Sequence, residues 1–429
     1  MNHGLIVIGG SYAALNIAAS AREAGYSAPI RLLSAEAHLP YHRPPLSKAW
    51  LAGTFNPASL PLKNAAFYQE RNIETQPGTA VSRIDRAGKF VETATGDRLD
   101  YDTLALALGA RARPLTLPGA DLDGVFYLRS QDDAASLRDR IDKATAIVVI
   151  GGGYIGLEAA AAIGPSGKPV TVIESQTRLL SRVAGRLLAA HVESVHRARG
   201  VQLLLGTAVK QILGSAGRVT GVECEGGMVC PCDLVLAAIG SLPNVELATD
   251  AGLPGPGGIE VDEYACTADP NIYAAGDCTL RPSSHAGGQF RFESVQNATD
   301  QGKAAGLAIA GRAATYDALP WFWSEQGDMR LQMAGLMRSD DEFALRGDPE
   351  EGKFSVFYFR GGRAVAIESV NRPAEHLAGR RLLSADGLAI GGLAAGKPVT
   401  PAQVCDPSFD LGAATAAPPA KPPAPKPAT

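Results

Sequence analysis

The segment IVVIGGGYIGLE, residues 147–158, decides the fold. Its four leading apolar residues read as a buried strand, and the residues after the last glycine carry helical apolar spacing. Between them Gly151, Gly153 and Gly156 suit a tight turn that brings backbone close to a pyrophosphate at a helix amino end. A second apolar strand, VTVIE, ends at Glu174, 23 positions after Gly151. A carboxylate there accepts hydrogen bonds from an adenosine ribose and opposes a 2′-phosphate, which favours NAD(H) over NADP(H).

The same pattern occurs earlier. LIVIG at 5–9 precedes GSYAALNIAASAREAG and then the apolar run IRLL at 30–33. Two βαβ units about 142 residues apart imply two nucleotide-binding folds in one α/β chain. The first turn is degenerate: Gly9 is followed by Ser11 and Ala14 where glycines stand in the full fingerprint. Ser11 sets a Cβ where a phosphate approaches, unless its hydroxyl contacts that phosphate. Read alone, this is also a plain βα turn. Glu36, just past the next strand, is the candidate ribose partner.

The 429 residues allow two to four domains. With 46% apolar and 20% charged residues the chain is neither largely disordered nor fibrous. A net charge of −4 argues against nucleic acid as a partner. The six cysteines begin at Cys224 and form no CxxC, so they read as reduced thiols in a cytoplasmic protein and leave no metal site. Residues 4–21 lack a basic start and are interrupted by Ser11, Tyr12, Asn16 and Ser20, so neither a targeting segment nor a membrane span is expected.

Further strands are expected at YDTLALALG (101–109), DLVLAAIG (233–240) and IYAAGD (272–277), and a helix at 297–311. From Trp321 the pattern becomes α+β, with strands at 329–336, 353–359 and 364–370 and a helix near 374–383. The expected domains are a nucleotide-binding one from 1–112 and 240–320, an NAD-binding one at 113–239 and an α+β one at 321–410. Residues 411–429 read as a disordered Pro/Ala/Lys tail.

LPYHRPPLSK (39–48), GGIEVDEYACTADPNIYAAGDC (257–278), ESVQNATDQGKAAG (293–306) and PWFWSEQ (320–326), together with the second glycine turn, resemble the FAD-dependent NADH:ferredoxin reductases of oxygenase systems, a family of glutathione reductase-type fold. The resemblance covers residues 4 to about 410. It departs at Ser11, at Ala107 in a strand end that often carries Thr, and in the tail.

The resemblance implies that Lys48 lies near the flavin N5, paired with Glu158, as the two catalytic residues. On the residues alone Lys48 is also a solvated lysine at a helix start. FAD contacts would come from Gly9, Ser11, Ala14 and Glu36, from Arg43, Pro44 and Arg129, and from Asp277, Val295 and Trp323. Asp277 also reads as the N-cap of a following helix, and Trp321 as core. The NAD set would be Gly151, Gly153, Tyr154, Ile155 and Gly156, then Glu158, Glu174, Gly240 and Glu293, with Arg182 either a contact to the phosphate–ribose region or a surface arginine.

The implied reaction passes a hydride from NADH to FAD and then single electrons to a separate [2Fe–2S] ferredoxin serving an oxygenase. Rubredoxin is the alternative acceptor. An apoptosis-inducing-factor-like flavoprotein with a binding role is the alternative class. A flavin disulfide reductase is disfavoured, because no cysteine lies in the amino-terminal FAD segment. An acidic ferredoxin would need a basic cluster, for which Lys303, Arg312, Arg372, Arg380 and Arg381 are candidates.

Overall fold

A computed structural model of the chain describes residues 3–255, 257–384 and 399–414. It divides into two compact units after Arg330. The first holds two parallel five-stranded sheets. One has the order Ile272–Ala274, Thr103–Leu106, Leu5–Ile8, Ile30–Ser34, Ile73–Pro77. The other runs Gln202–Leu205, Val170–Glu174, Ile147–Ile150, Leu234–Ala237, Val125–Phe126. Strands Leu5–Ile8 and Ile147–Ile150 are buried along their whole length, as a sheet covered on both faces requires.

Each strand-turn-helix unit forms where the periodicity places it. Helix Tyr12–Glu23 follows the first glycine turn and Tyr154–Ile163 the second. The repeat extends further than the sequence reading. In each half the chain returns to the sheet through an antiparallel three-stranded meander. One is Val81–Asp85, Phe90–Thr93 and Arg98–Asp100; the other is Val209–Ser215, Arg218–Cys224 and Val229–Pro231. Ala13, Ile17 and Ala21 share one apolar core with Ala298 and Ala305 of helix Val295–Ile309, which fixes that helix beside the first turn.

The second unit is antiparallel. Strand Met329–Gly335 enters it and pairs with Arg363–Val370, which pairs with Lys353–Arg360, which pairs with Glu342–Asp348. Helix Pro373–Leu383 follows. Strand Glu342–Asp348 was not expected; its alternation is broken by Arg346 and Gly347. Leu411–Ala414 forms a helical turn with Leu411 buried, so the expected tail begins as structure; its residues 415–429 lie outside the described residues.

Candidate active site

Gly153 is the extended N-cap of helix Tyr154–Ile163, with no side chain to cap it, and nothing stands within 4 Å of where a Cβ would point. No side chain therefore stands over the positive dipole end of this helix. Gly156 packs instead: a Cβ there would meet the Gly151 carbonyl oxygen at 2.3 Å. Glu174 ends its strand beside the turn. Its carboxylate accepts from the Gly152 amide at 2.7 Å and the Gln176 amide at 2.8 Å, which holds it at the mouth of the turn. Ile155 is exposed, and Tyr154 meets Phe322 edge-on at 4.9 Å. Arg182 is exposed and reaches toward Gly240, whose Cβ position lies 3.6 Å from its guanidinium.

In the first turn Gly9 follows strand Leu5–Ile8 at a positive φ, and Ser11 is the extended N-cap of Tyr12–Glu23, making no side-chain cap bond. Its backbone lies where any residue is at ease, so the serine imposes no backbone strain. Ala14 is fully buried, its methyl packed in the core. Glu36 is engaged by the Tyr41 hydroxyl and, at 2.5 Å, by Arg43. Arg43 also donates to the Arg129 carbonyl at 2.7 Å. Arg129 in turn pairs with Asp277 at 3.0 Å. Burial raises the Asp277 carboxyl above its ordinary range, against the pull of Arg129. Strand Thr279–Ser283 follows Asp277, so it caps no helix.

Lys48 is not a solvated helix-start lysine. It closes the 3-10 turn Pro44–Ser47, and its ammonium lies 2.8 Å from Glu158 and 3.0 Å from the Pro44 carbonyl. Glu158 is buried on helix Tyr154–Ile163 and also accepts from Ser47 at 2.5 Å and Ser324 at 2.6 Å. The pair thus ties the proline-rich segment to the second glycine helix.

Glu293 is held by Ser241 and Arg291, and Val295 opens the helix that follows. Trp323 is partly exposed with its ring 5.8 Å from Trp321. Trp321 is partly exposed as well, and not core. Of the candidate docking cations, Lys303 pairs with Asp300 at 3.7 Å and Arg372 with Glu375 at 3.3 Å.

Sequence reasoning missed Ser47, Ser324, Gln326, Tyr41 and Arg291. The available signal lay in PWFWSEQ, where strand alternation puts Ser324 and Gln326 on one face; both are fully buried.

Residues 3–302 match the model of the pyridine nucleotide-disulphide oxidoreductases, and residues 321–415 that of a reductase C-terminal domain. A rhodocoxin reductase from Rhodococcus erythropolis is 41% identical over 412 residues, 96% of this chain and 94% of that one. A rubredoxin–NAD(+) reductase from Pseudomonas putida is 37% identical over 369 residues, 86% of this chain and 96% of that one. The crystal structure of a ferredoxin reductase for the CYP199A2 system from Rhodopseudomonas palustris superposes with a TM-score of 0.92 at 41% identity, covering 97% of this chain and all of that one. The chain belongs to the pyridine nucleotide-disulphide oxidoreductase family. It is an FAD- and pyridine-nucleotide-dependent oxidoreductase, and the resemblance to ferredoxin reductases is borne out.

The residues fit those cofactors. Two helix amino ends without a side-chain cap can take two pyrophosphates, Glu174 at the second turn can accept from a ribose, and Arg43 and Arg129 supply cations linked to Glu36 and Asp277. The cysteine next to Asp277 is not placed as a reactive thiol. Cys278, beside Asp277, is buried with its sulfur toward the Leu106 and Ala275 carbonyls, and burial pushes its thiol up to about 11. Among the described residues no helix is long and apolar enough to cross a membrane.

Proposed function

We propose that this chain is the NADH-oxidising flavoprotein of an oxygenase system, reducing a separate [2Fe–2S] ferredoxin. The single observation that carries this reading is the buried Lys48–Glu158 pair at the junction of the two nucleotide-binding folds. Bound FAD would accept two electrons from NADH and release them one at a time.

The chain's residues do the rest. The amino end of Tyr12–Glu23, Arg43, Arg129 and Asp277 would hold FAD. Gly151, Gly153 and the amino end of Tyr154–Ile163 would hold NADH, with Glu174 selecting it over NADPH. Lys48 supplies fixed positive charge where negative charge grows on reduction. Glu158 keeps that charge in place. Glu293, tied to Ser241 and Arg291, would orient the nicotinamide end. Residues 1–112 with 240–320 form the FAD-binding domain in this reading, 113–239 the NAD-binding domain and 321–410 the C-terminal domain. The six free thiols suit a cytoplasmic protein.

Rubredoxin is the second acceptor to consider, because one relative that aligns over most of this chain is a rubredoxin reductase. Cytochrome c reduction by NADH, with a panel of [2Fe–2S] ferredoxins and a rubredoxin, tests the reading. Turnover that depends on a ferredoxin supports it. Turnover that needs rubredoxin reassigns the acceptor, and turnover with neither contradicts the reading.

A further inference from the structure

The Lys48–Glu158 pair is one end of a buried polar file. The Ser324 hydroxyl donates to Glu158 Oε1 at 2.6 Å, Gln326 Nε2 donates to Ser324 Oγ at 3.3 Å, and His196 Nε2 lies 2.8 Å from Gln326 Oε1. Ser324, Gln326 and His196 are all 0% exposed. Their proton directions are fixed by elimination. The one hydroxyl proton of Ser324 goes to the carboxylate, the stronger acceptor. Ser324 must then accept from the Gln326 amide. That leaves the Gln326 carbonyl to accept from His196 Nε2–H. The other ring nitrogen, Nδ1, has no partner among the described residues, as a ring protonated only at Nε2 allows. Every donor in the file points toward Glu158.

Lys48 and Ser47 hold the other oxygen, Oε2. A carboxylate held through one oxygen can rotate about its last bond; donors on both oxygens fix its plane. The turn Pro44–Ser47 with Lys48 and the strand Trp321–Gln326 meet on this carboxylate of helix Tyr154–Ile163, and helix Arg186–Ala198 adds the histidine through Gln326.

We infer that Ser324, Gln326 and His196 are positioning residues for electron entry, a one-way donor chain that locks the Glu158 carboxylate and through it the Lys48 ammonium. This rests on the proposed reading of that pair as the flavin-side charge.

The test is anaerobic mixing of flavin-loaded protein with NADH, following the bleaching of the visible flavin absorption. Ser324→Ala removes one hydrogen bond to a charged group, so the limiting rate should fall by about tenfold. The NADH concentration at half-maximal rate and the flavin content should stay unchanged. Ser324→Thr restores the hydroxyl and should return the rate to within about twofold of wild type. A Ser324→Ala protein as fast as wild type overturns the chain, and so does a slow one that Ser324→Thr fails to rescue. If Ser324→Ala is isolated without flavin, Gln326→Leu decides by the same readout: a slowed limiting rate upholds the chain and an unchanged one overturns it. Wild-type protein that NADH does not bleach refutes the functional reading itself, whereas normal wild-type bleaching beside unaffected variants refutes only the chain.

Discussion

The ammonium of Lys48 lies 2.8 Å from the Glu158 carboxylate across 110 residues of chain, with side-chain exposures of only 16% and 6%. Two charges taken so far out of water persist only when each answers the other and further donors serve the carboxylate. Ser47 and Ser324 are those donors. The arrangement joins the proline-rich segment to the second glycine helix, the elements expected to meet FAD and NADH.

Breaking this pair should cost more than removing it. Glu158→Leu strands the Lys48 charge in a buried setting, at about 3–5 kcal/mol of folding stability. The double variant Lys48→Met/Glu158→Leu should recover most of that loss. Urea unfolding of the flavin-loaded proteins checks the ordering; a double variant less stable than Glu158→Leu would refute it.

The second glycine turn should tolerate no methyl at its third position. Gly156→Ala drives a Cβ to 2.3 Å from the Gly151 carbonyl oxygen, an overpacking worth about 1–3 kcal/mol. The NADH KM should rise while FAD content stays at the wild-type level. The first turn already accommodates Ala14, and Ala14→Gly should cost about 1–2 kcal/mol, helix propensity together with the loss of a fully buried methyl.

Coenzyme choice should follow Glu174. In the wild type, kcat/KM should be higher with NADH than with NADPH. Glu174→Ala removes a carboxylate that would face the 2′-phosphate, so the NADPH/NADH ratio of kcat/KM should rise by about tenfold or more. The absolute NADH value should fall too, because Glu174 also anchors the Gly152 amide.

Acid should destabilise the fold through His196. Burial, aided by nearby Arg199, holds this imidazole below its ordinary value despite the bond to Gln326. The unfolded chain therefore binds the proton first. Stability from the neutral ring is present above about pH 6.5 and is lost as pH falls, with a slope of up to about 1.4 kcal/mol per pH unit. His196→Gln, which cannot titrate, should show a smaller loss between pH 7.5 and 5.5 in paired urea titrations.

What could be read in the sequence was what periodicity and glycine spacing encode. Both βαβ units, Glu174 at its strand end and the helix before Ile309 follow from local pattern, because a buried parallel strand is continuously apolar and a dinucleotide turn needs small residues at fixed offsets. The meanders were hidden because strands of three to seven residues with half-polar faces resemble loops. The Lys48–Glu158 contact came from family resemblance, since nothing local in either segment marks a partner 110 residues away. Ser324 and Gln326 stayed invisible for a related reason. A polar residue on a strand announces solvent, and only the packed structure shows that these two are buried and bonded.

The account stands most directly on electron entry at Lys48. Flavin-loaded wild type and Lys48→Met should be mixed anaerobically with NADH and the flavin absorbance followed to completion. Loss of the fixed positive charge should slow the limiting rate by at least about tenfold, with full flavin content and with NADH still bound. Lys48→Met protein that carries its full flavin and bleaches at the wild-type rate would contradict the account.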